Sequence, residues 1–333
     1  MSDILVNSKK RIVVLGTGGT IAGTGKEGET VGYDSAQIKV DKLVEEIPSL
    51  ESIADVTSVE LFSVDSCDID FEKLVKIASY INEKSMDDSV DGFVITHGTD
   101  TLEETAYFLN LTLKTSKPVV ITGSMRPSTA MSADGPFNLY QAVSLAANDD
   151  ARGKGVLVAF CDAIYGARDV TKINTFKTDA FSHKDLGCLG YMRDNKVFFY
   201  NNSVKSHTED SEFSVESADK LPRVEVVNFY LGADKEVLEC VSRRADGIVL
   251  GGAGCGGSST EWDEKIEEIM ARGIPVVRSS RICNGLVTYS ESEIEKNGIY
   301  ANNLSPQKAR ILLMLALTET YDVYEIQKMF NKY

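Results

Sequence analysis

Short apolar runs recur along this chain, each too short for a helix and each ending in small or polar residues. Ile12–Leu15 runs into Gly16-Thr-Gly-Gly-Thr20, and Gly92–Thr96 into His97-Gly-Thr-Asp100. Pro118–Thr122 runs into Gly123-Ser-Met-Arg126, and Gly247–Leu250 into glycine-rich residues 251–257. Between such runs lie stretches with helical spacing, for example Phe71, Leu74, Val75, Ala78 and Ile81 on one face. Continuous apolar strands alternating with amphipathic helices predict an α/β fold with a mainly parallel sheet covered by helices on both faces. Residues 161–200 read differently, as shorter alternating runs, and residues 201–222 are polar and rich in Ser, Asp and Glu. The expected organisation is a larger N-terminal α/β domain over 1–200, a linker over 201–222 and a smaller C-terminal α/β domain over 223–333.

Ligands of such sheets bind outside the carboxyl ends of the strands. The ends at 16–20, 65–68 and 96–100 are rich in hydroxyls and acids, and together they predict one polar pocket. Thr101-Leu-Glu-Glu104 reads as a capping box, with Thr101 as N-cap and Glu104 three positions on. Thr99 and Asp100 then stand just before a helix N-terminus, which suits an anion or a developing oxyanion. Residues 23–37 are glycine-rich, aperiodic and short of apolar anchors, with Tyr33 the one aromatic hydroxyl. They read as a candidate lid or as a plain flexible connection.

Several function classes are disfavoured. A net charge of −15 does not suit a nucleic-acid partner. No stretch approaches the ~20 apolar residues of a membrane helix. The six cysteines form no Cys-x-x-Cys pair, and with three histidines no zinc spacing appears. Free thiols in a reducing compartment and the lack of a secretory signal in this sequence point to a cytoplasmic protein, with an exported form whose signal has been removed as the alternative. A phosphate-binding loop needs Lys followed by Ser or Thr after its glycines, where this chain has Thr20-Ile21. A Ser-His-Asp triad finds no Gly-x-Ser-x-Gly elbow and only His97, His183 and His207. What remains is a hydroxyl nucleophile activated by a Lys or Tyr, with Thr20, Thr99, Lys172 and Tyr33 as candidates, or a non-catalytic small-molecule binder.

Two signatures carry a resemblance. Gly16-Thr-Gly-Gly-Thr-Ile-Ala-Gly23 and Asp91-Gly-Phe-Val-Ile-Thr-His-Gly-Thr-Asp-Thr101 resemble the bacterial L-asparaginase/glutaminase family. Met125–Leu139 is similar to its type II branch, and Asp169–Lys172, Val277–Arg281 and Asn303–Arg310 extend the match over nearly the whole chain. The resemblance implies an L-asparaginase, with weaker L-glutaminase activity or none, and as the competing reading an impaired amide-binding homologue. It implies Thr20 as nucleophile and Tyr33 on a lid helping to activate it. Thr99 would position the attacked amide or the hydrolytic water, Lys172 would tune protonation, and Asp100 would orient Lys172 and hold the substrate ammonium. Ser66 would hold the α-carboxylate. Glu291, or alternatively Glu293, would reach a partner subunit's site in a homotetramer built as a dimer of dimers. No cofactor and no metal are implied. One departure stands out: Cys67 occupies a substrate-binding position where the family usually has Gln or Glu.

Overall fold

The computed structural model describes residues 9–183, 185–214, 216, 218–288 and 298–333. The chain divides into two compact units, Met1–Ser211 and Glu212–Tyr333.

In the first unit an eight-stranded sheet runs in the order β10-β9-β6-β5-β4-β3-β1-β2. The strands are β1 (Lys10–Gly18), β2 (Ala54–Val64), β3 (Gly92–Thr96), β4 (Val119–Thr122), β5 (Val156–Phe160), β6 (Ala163–Gly166), β9 (Gly190–Arg193) and β10 (Lys196–Phe199). β7 (Thr171–Lys172) and β8 (Phe181–Ser182) form a separate two-stranded ribbon. From β2 to β5 the pairing is parallel, and from β5 through β6 and β9 to β10 it is antiparallel. The shorter runs over 161–200 supply this antiparallel edge and the β7–β8 ribbon.

The helices of this unit are α1 (Val40–Glu45), α2 (Phe71–Ser85), α3 (Leu102–Thr112) and α4 (Gly135–Ala146). Strand side chains alternate between faces. Ile12, Val14, Val94, Val120 and Leu157 share one core with Val40 and Leu43 of α1 and Leu139, Ala142 and Val143 of α4. The alternate set, Val13, Leu15, Phe93, Ile95 and Ile121, is buried on the other side, where α3 packs on β5 and α2 on α3. Both faces are therefore covered, and runs such as Phe93-Val-Ile95 are apolar without alternation.

The second unit is a parallel four-stranded sheet in the order β11 (Val224–Asn228), β12 (Gly247–Gly252), β13 (Val276–Ser280), β14 (Ile299–Tyr300). Its helices are α5 (Glu236–Ser242), α6 (Thr260–Ala271), α7 (Pro306–Glu319) and α8 (Val323–Lys332). Leu238, Trp262, Ile266, Ile248 and Leu250 form its core. β13 starts just after Pro275, which has no N–H for the ladder. Ser305 stands at the N-cap of α7 with Pro306 at N1, and the Asp322 carboxylate caps α8 by accepting from Glu325 N–H.

Candidate active site

β1 stands between β2 and β3, with Gly16 opposite Glu60 on one side and Thr96 on the other. All three strands are parallel, so their polar carboxyl ends emerge together. Gly19 has φ of 80° and lies so close to the β3 end that a Cβ would sit 2.3 Å from Gly98 N. A side chain on Gly98 would in turn meet Ser66 Cβ at 2.8 Å. These two glycines let the ends of β1, β2 and β3 close on one another. Thr20 and Thr99 each follow one of the two abutting glycines.

Thr17 and Thr20 separate clearly. The Thr17 hydroxyl is buried and donates to the Thr96 carbonyl at 2.8 Å, tying β1 to β3. Thr20 opens a short 3₁₀ turn, and its Oγ1 lies 3.0 Å from the Tyr33 hydroxyl. The segment carrying Tyr33 doubles back on itself, with Thr24 and Asp34 exchanging backbone hydrogen bonds. It is strapped to the loop after β4. Ser128 N–H and hydroxyl donate to the Gly23 carbonyl, and Gly25 N–H donates to the Thr129 hydroxyl.

A second group forms around Lys172. Its ammonium donates to Thr99 Oγ1 at 2.8 Å and to Asp100 Oδ1 at 2.5 Å. The Lys172 side chain is mostly covered, whereas the Asp100 side chain is 61 % exposed. Lys172 N–H donates to Glu103 Oε2 at 2.6 Å. Glu103 was not legible from sequence, where it reads as an ordinary acid in the first turn of α3; its burial marks it here.

Ser66 is buried in a 3₁₀ turn at the end of β2, capped by the Asp65 carboxylate accepting from Cys67 N–H at 2.9 Å. The turn is fastened to α3 by Thr101, whose hydroxyl donates to the Ser66 carbonyl at 2.8 Å. This corrects the expected capping box: Thr101 occupies the N-cap of α3 but makes no side-chain cap, because its hydroxyl is used in that tertiary bond. Cys67 is exposed at the same turn. Partial burial, then the neighbouring Asp65, Asp100 and Asp68 charges, push its thiol pKa up, so it stands as a neutral thiol. Glu291 and Glu293 lie outside the described residues.

His97 is fully buried between the two groups in sequence. Nδ1 lies 2.6 Å from the Gly98 carbonyl, which only accepts, so Nδ1 carries the proton. Nε2 then accepts from the Thr105 hydroxyl at 2.9 Å. Burial pushes the imidazole pKa down from 6.5 to about 4. The ring is thus neutral and structural, fixing the Gly98 peptide beside Gly19. Because the folded value is depressed, the unfolded chain alone binds the proton as pH falls from 6.5 towards 4. His97 should lower unfolding free energy over that window by up to about 3 kcal/mol. An NMR titration should show its ring neutral at pH 5, and a ring titrating near its ordinary value contradicts this.

The sequence matches known proteins over both units. Residues 11–205 match the family model described as Asparaginase, N-terminal, and residues 223–330 the one described as Glutaminase/Asparaginase C-terminal domain. The chain is 46 % identical over 324 residues to L-asparaginase 2 of Bacillus subtilis, covering 97 % of this chain and 86 % of that protein. It is 42 % identical to the glutaminase-asparaginase of Acinetobacter glutaminasificans, covering 98 % of this chain and 100 % of that one. A solved structure described as a probable cytoplasmic L-asparaginase from Campylobacter jejuni superposes with a TM-score of 0.94 at 45 % identity, covering 98 % of this chain and 100 % of that one. The chain belongs to the asparaginase family.

Proposed function

We propose that this chain hydrolyses L-asparagine to L-aspartate and ammonia through Thr20, with weaker activity on L-glutamine. The observation that carries this reading is the pairing of two hydroxyl centres, Thr20 with Tyr33 and Thr99 with Lys172 and Asp100, one residue beyond the abutting Gly19 and Gly98. Thr20 Oγ1 attacks the side-chain amide carbon, and its proton is relayed to the leaving nitrogen with Tyr33 assisting. Ammonia departs and leaves an ester on Thr20. Water then adds to the ester, positioned by Thr99 and with its proton managed by Lys172, and aspartate leaves. The Thr99 N–H, just ahead of α3, is the natural oxyanion donor, a contact typically worth ~3 kcal/mol in the transition state. Ser66 holds the α-carboxylate, and Asp100 the α-ammonium. Each role falls to a group of the polypeptide, so the proposed chemistry asks for no cofactor.

The reading extends to the assembly and the compartment. A homotetramer built as a dimer of dimers would let Glu291, or Glu293 as the alternative, complete a partner's site, and light scattering measures that mass. Six free thiols fit a reducing cytoplasm. Among the described residues no helix is long and apolar enough to cross a membrane.

Cys67 favours a second reading, a homologue that binds the amide but turns it over poorly. A neutral thiol supplies neither the hydrogen bonding of Gln nor the charge of Glu. Cys67→Gln should lower KM for asparagine about tenfold, the size of one added hydrogen bond to a charged ammonium. Unchanged KM values for both amides sink the assigned role of Cys67. Ammonia release from each amide, followed as steady-state kinetics, tests the function as a whole.

A further inference from the structure

Lys172 reaches Thr99 from an unpromising place. It lies on β7, a two-residue strand paired only with β8 in a ribbon outside the eight-stranded sheet. The sheet ladder that fixes the ends of β1 and β3 therefore does not fix Lys172. Its side chain is long, with four rotatable bonds, and only a well-placed backbone holds its ammonium at one geometry.

The Glu103 carboxylate supplies that placement. Glu103 is only 4 % exposed and sits in the first turn of α3, where the helix dipole favours its charge. Its Oε2 accepts from Lys172 N–H at 2.6 Å, a short, charge-assisted bond across 69 residues of sequence. The same helix start is preceded by Thr99 and Asp100, the two partners of the Lys172 ammonium. The first turn of α3 and the loop leading into it thus grip Lys172 at both ends, by its backbone through Glu103 and by its ammonium through Thr99 and Asp100.

We infer that Glu103 is a positioning residue for hydrolysis, setting the backbone register from which Lys172 meets Thr99. This rests on the proposed role of Lys172. Because Ser66 and Asp100 are the proposed holders of substrate, loss of Glu103 should appear in kcat rather than KM.

The test is steady-state kinetics on L-asparagine for Glu103→Gln, Glu103→Asp and Glu103→Leu, with thermal melts showing that each protein is folded. Glu103→Gln keeps a carbonyl oxygen at the same reach and should stay within about threefold of the parent kcat. Glu103→Asp keeps the charge but withdraws it by one methylene, and Glu103→Leu removes the acceptor. Both should lose on the order of 100-fold in kcat with KM changed less than about threefold, the scale of an ångström-sized misplacement. If Glu103→Leu fails to fold, Glu103→Asp carries the comparison. Parent-like kcat in the folded Leu or Asp variant overturns the inference, as does a Gln variant as impaired as Leu, or a loss confined to KM. Lys172→Met is assayed alongside: parent-like kcat there removes the reading beneath this inference, whatever Glu103 does.

Discussion

Thr20→Ala lowers kcat for L-asparagine by on the order of 10⁴-fold or more, while the fold and the thermal midpoint stay near those of the parent. The size follows from the proposed role, since deleting a nucleophile removes the covalent route and not merely a contact. The stability side follows from the structure. Thr20 lies in a short 3₁₀ turn, and its hydroxyl bonds the Tyr33 hydroxyl rather than the sheet. Its loss leaves Tyr33, which is partly exposed, able to bond water instead. Thr17→Ala is the informative contrast. That hydroxyl is buried and bridges β1 to β3, so its removal loses a buried hydrogen bond and costs about 1 kcal/mol of stability. Kinetics and melts on the pair should separate a chemical threonine from a structural one.

Lys172→Met lowers kcat by on the order of 10³-fold, the middle of the range for a positioned proton-transfer group. Methionine keeps the apolar stem and removes the ammonium that donates to Thr99 and Asp100. Asp100 is 61 % exposed at its side chain, so losing its partner leaves no buried charge and stability should hold. KM should rise less than kcat falls. Stopped-flow ammonia detection with saturating asparagine measures the effect, and a kcat within threefold of the parent contradicts the role.

The fold was legible to the extent that burial writes itself into composition. Ile12–Leu15 and Phe93–Ile95 are apolar at every position because both faces of the sheet are covered. The Gly–Thr strand ends read as one cluster, and the close approach of Gly19, Gly98 and Ser66 brings those ends together. What sequence could not carry was tertiary bonding. Thr101 satisfies the local pattern of a capping box, yet its hydroxyl has a better partner in the Ser66 carbonyl. Lys172 belongs to a ribbon too short for any periodicity to show. Glu103 and Glu104 look alike in sequence, and only the packing of α3 turns one inward to the Lys172 backbone. The sequence shows His97 only as one of three histidines, and the bonds to Gly98 and Thr105 show what it holds.

The most direct measurement is ammonia and aspartate production from L-asparagine by the parent chain and by Thr20→Ala, with asparagine binding to each followed by calorimetry. The proposed mechanism predicts ammonia and aspartate in equal amounts from the parent, and binding without turnover in the variant. Turnover by Thr20→Ala at the parent rate, or a parent chain that binds asparagine and releases no ammonia, would contradict it.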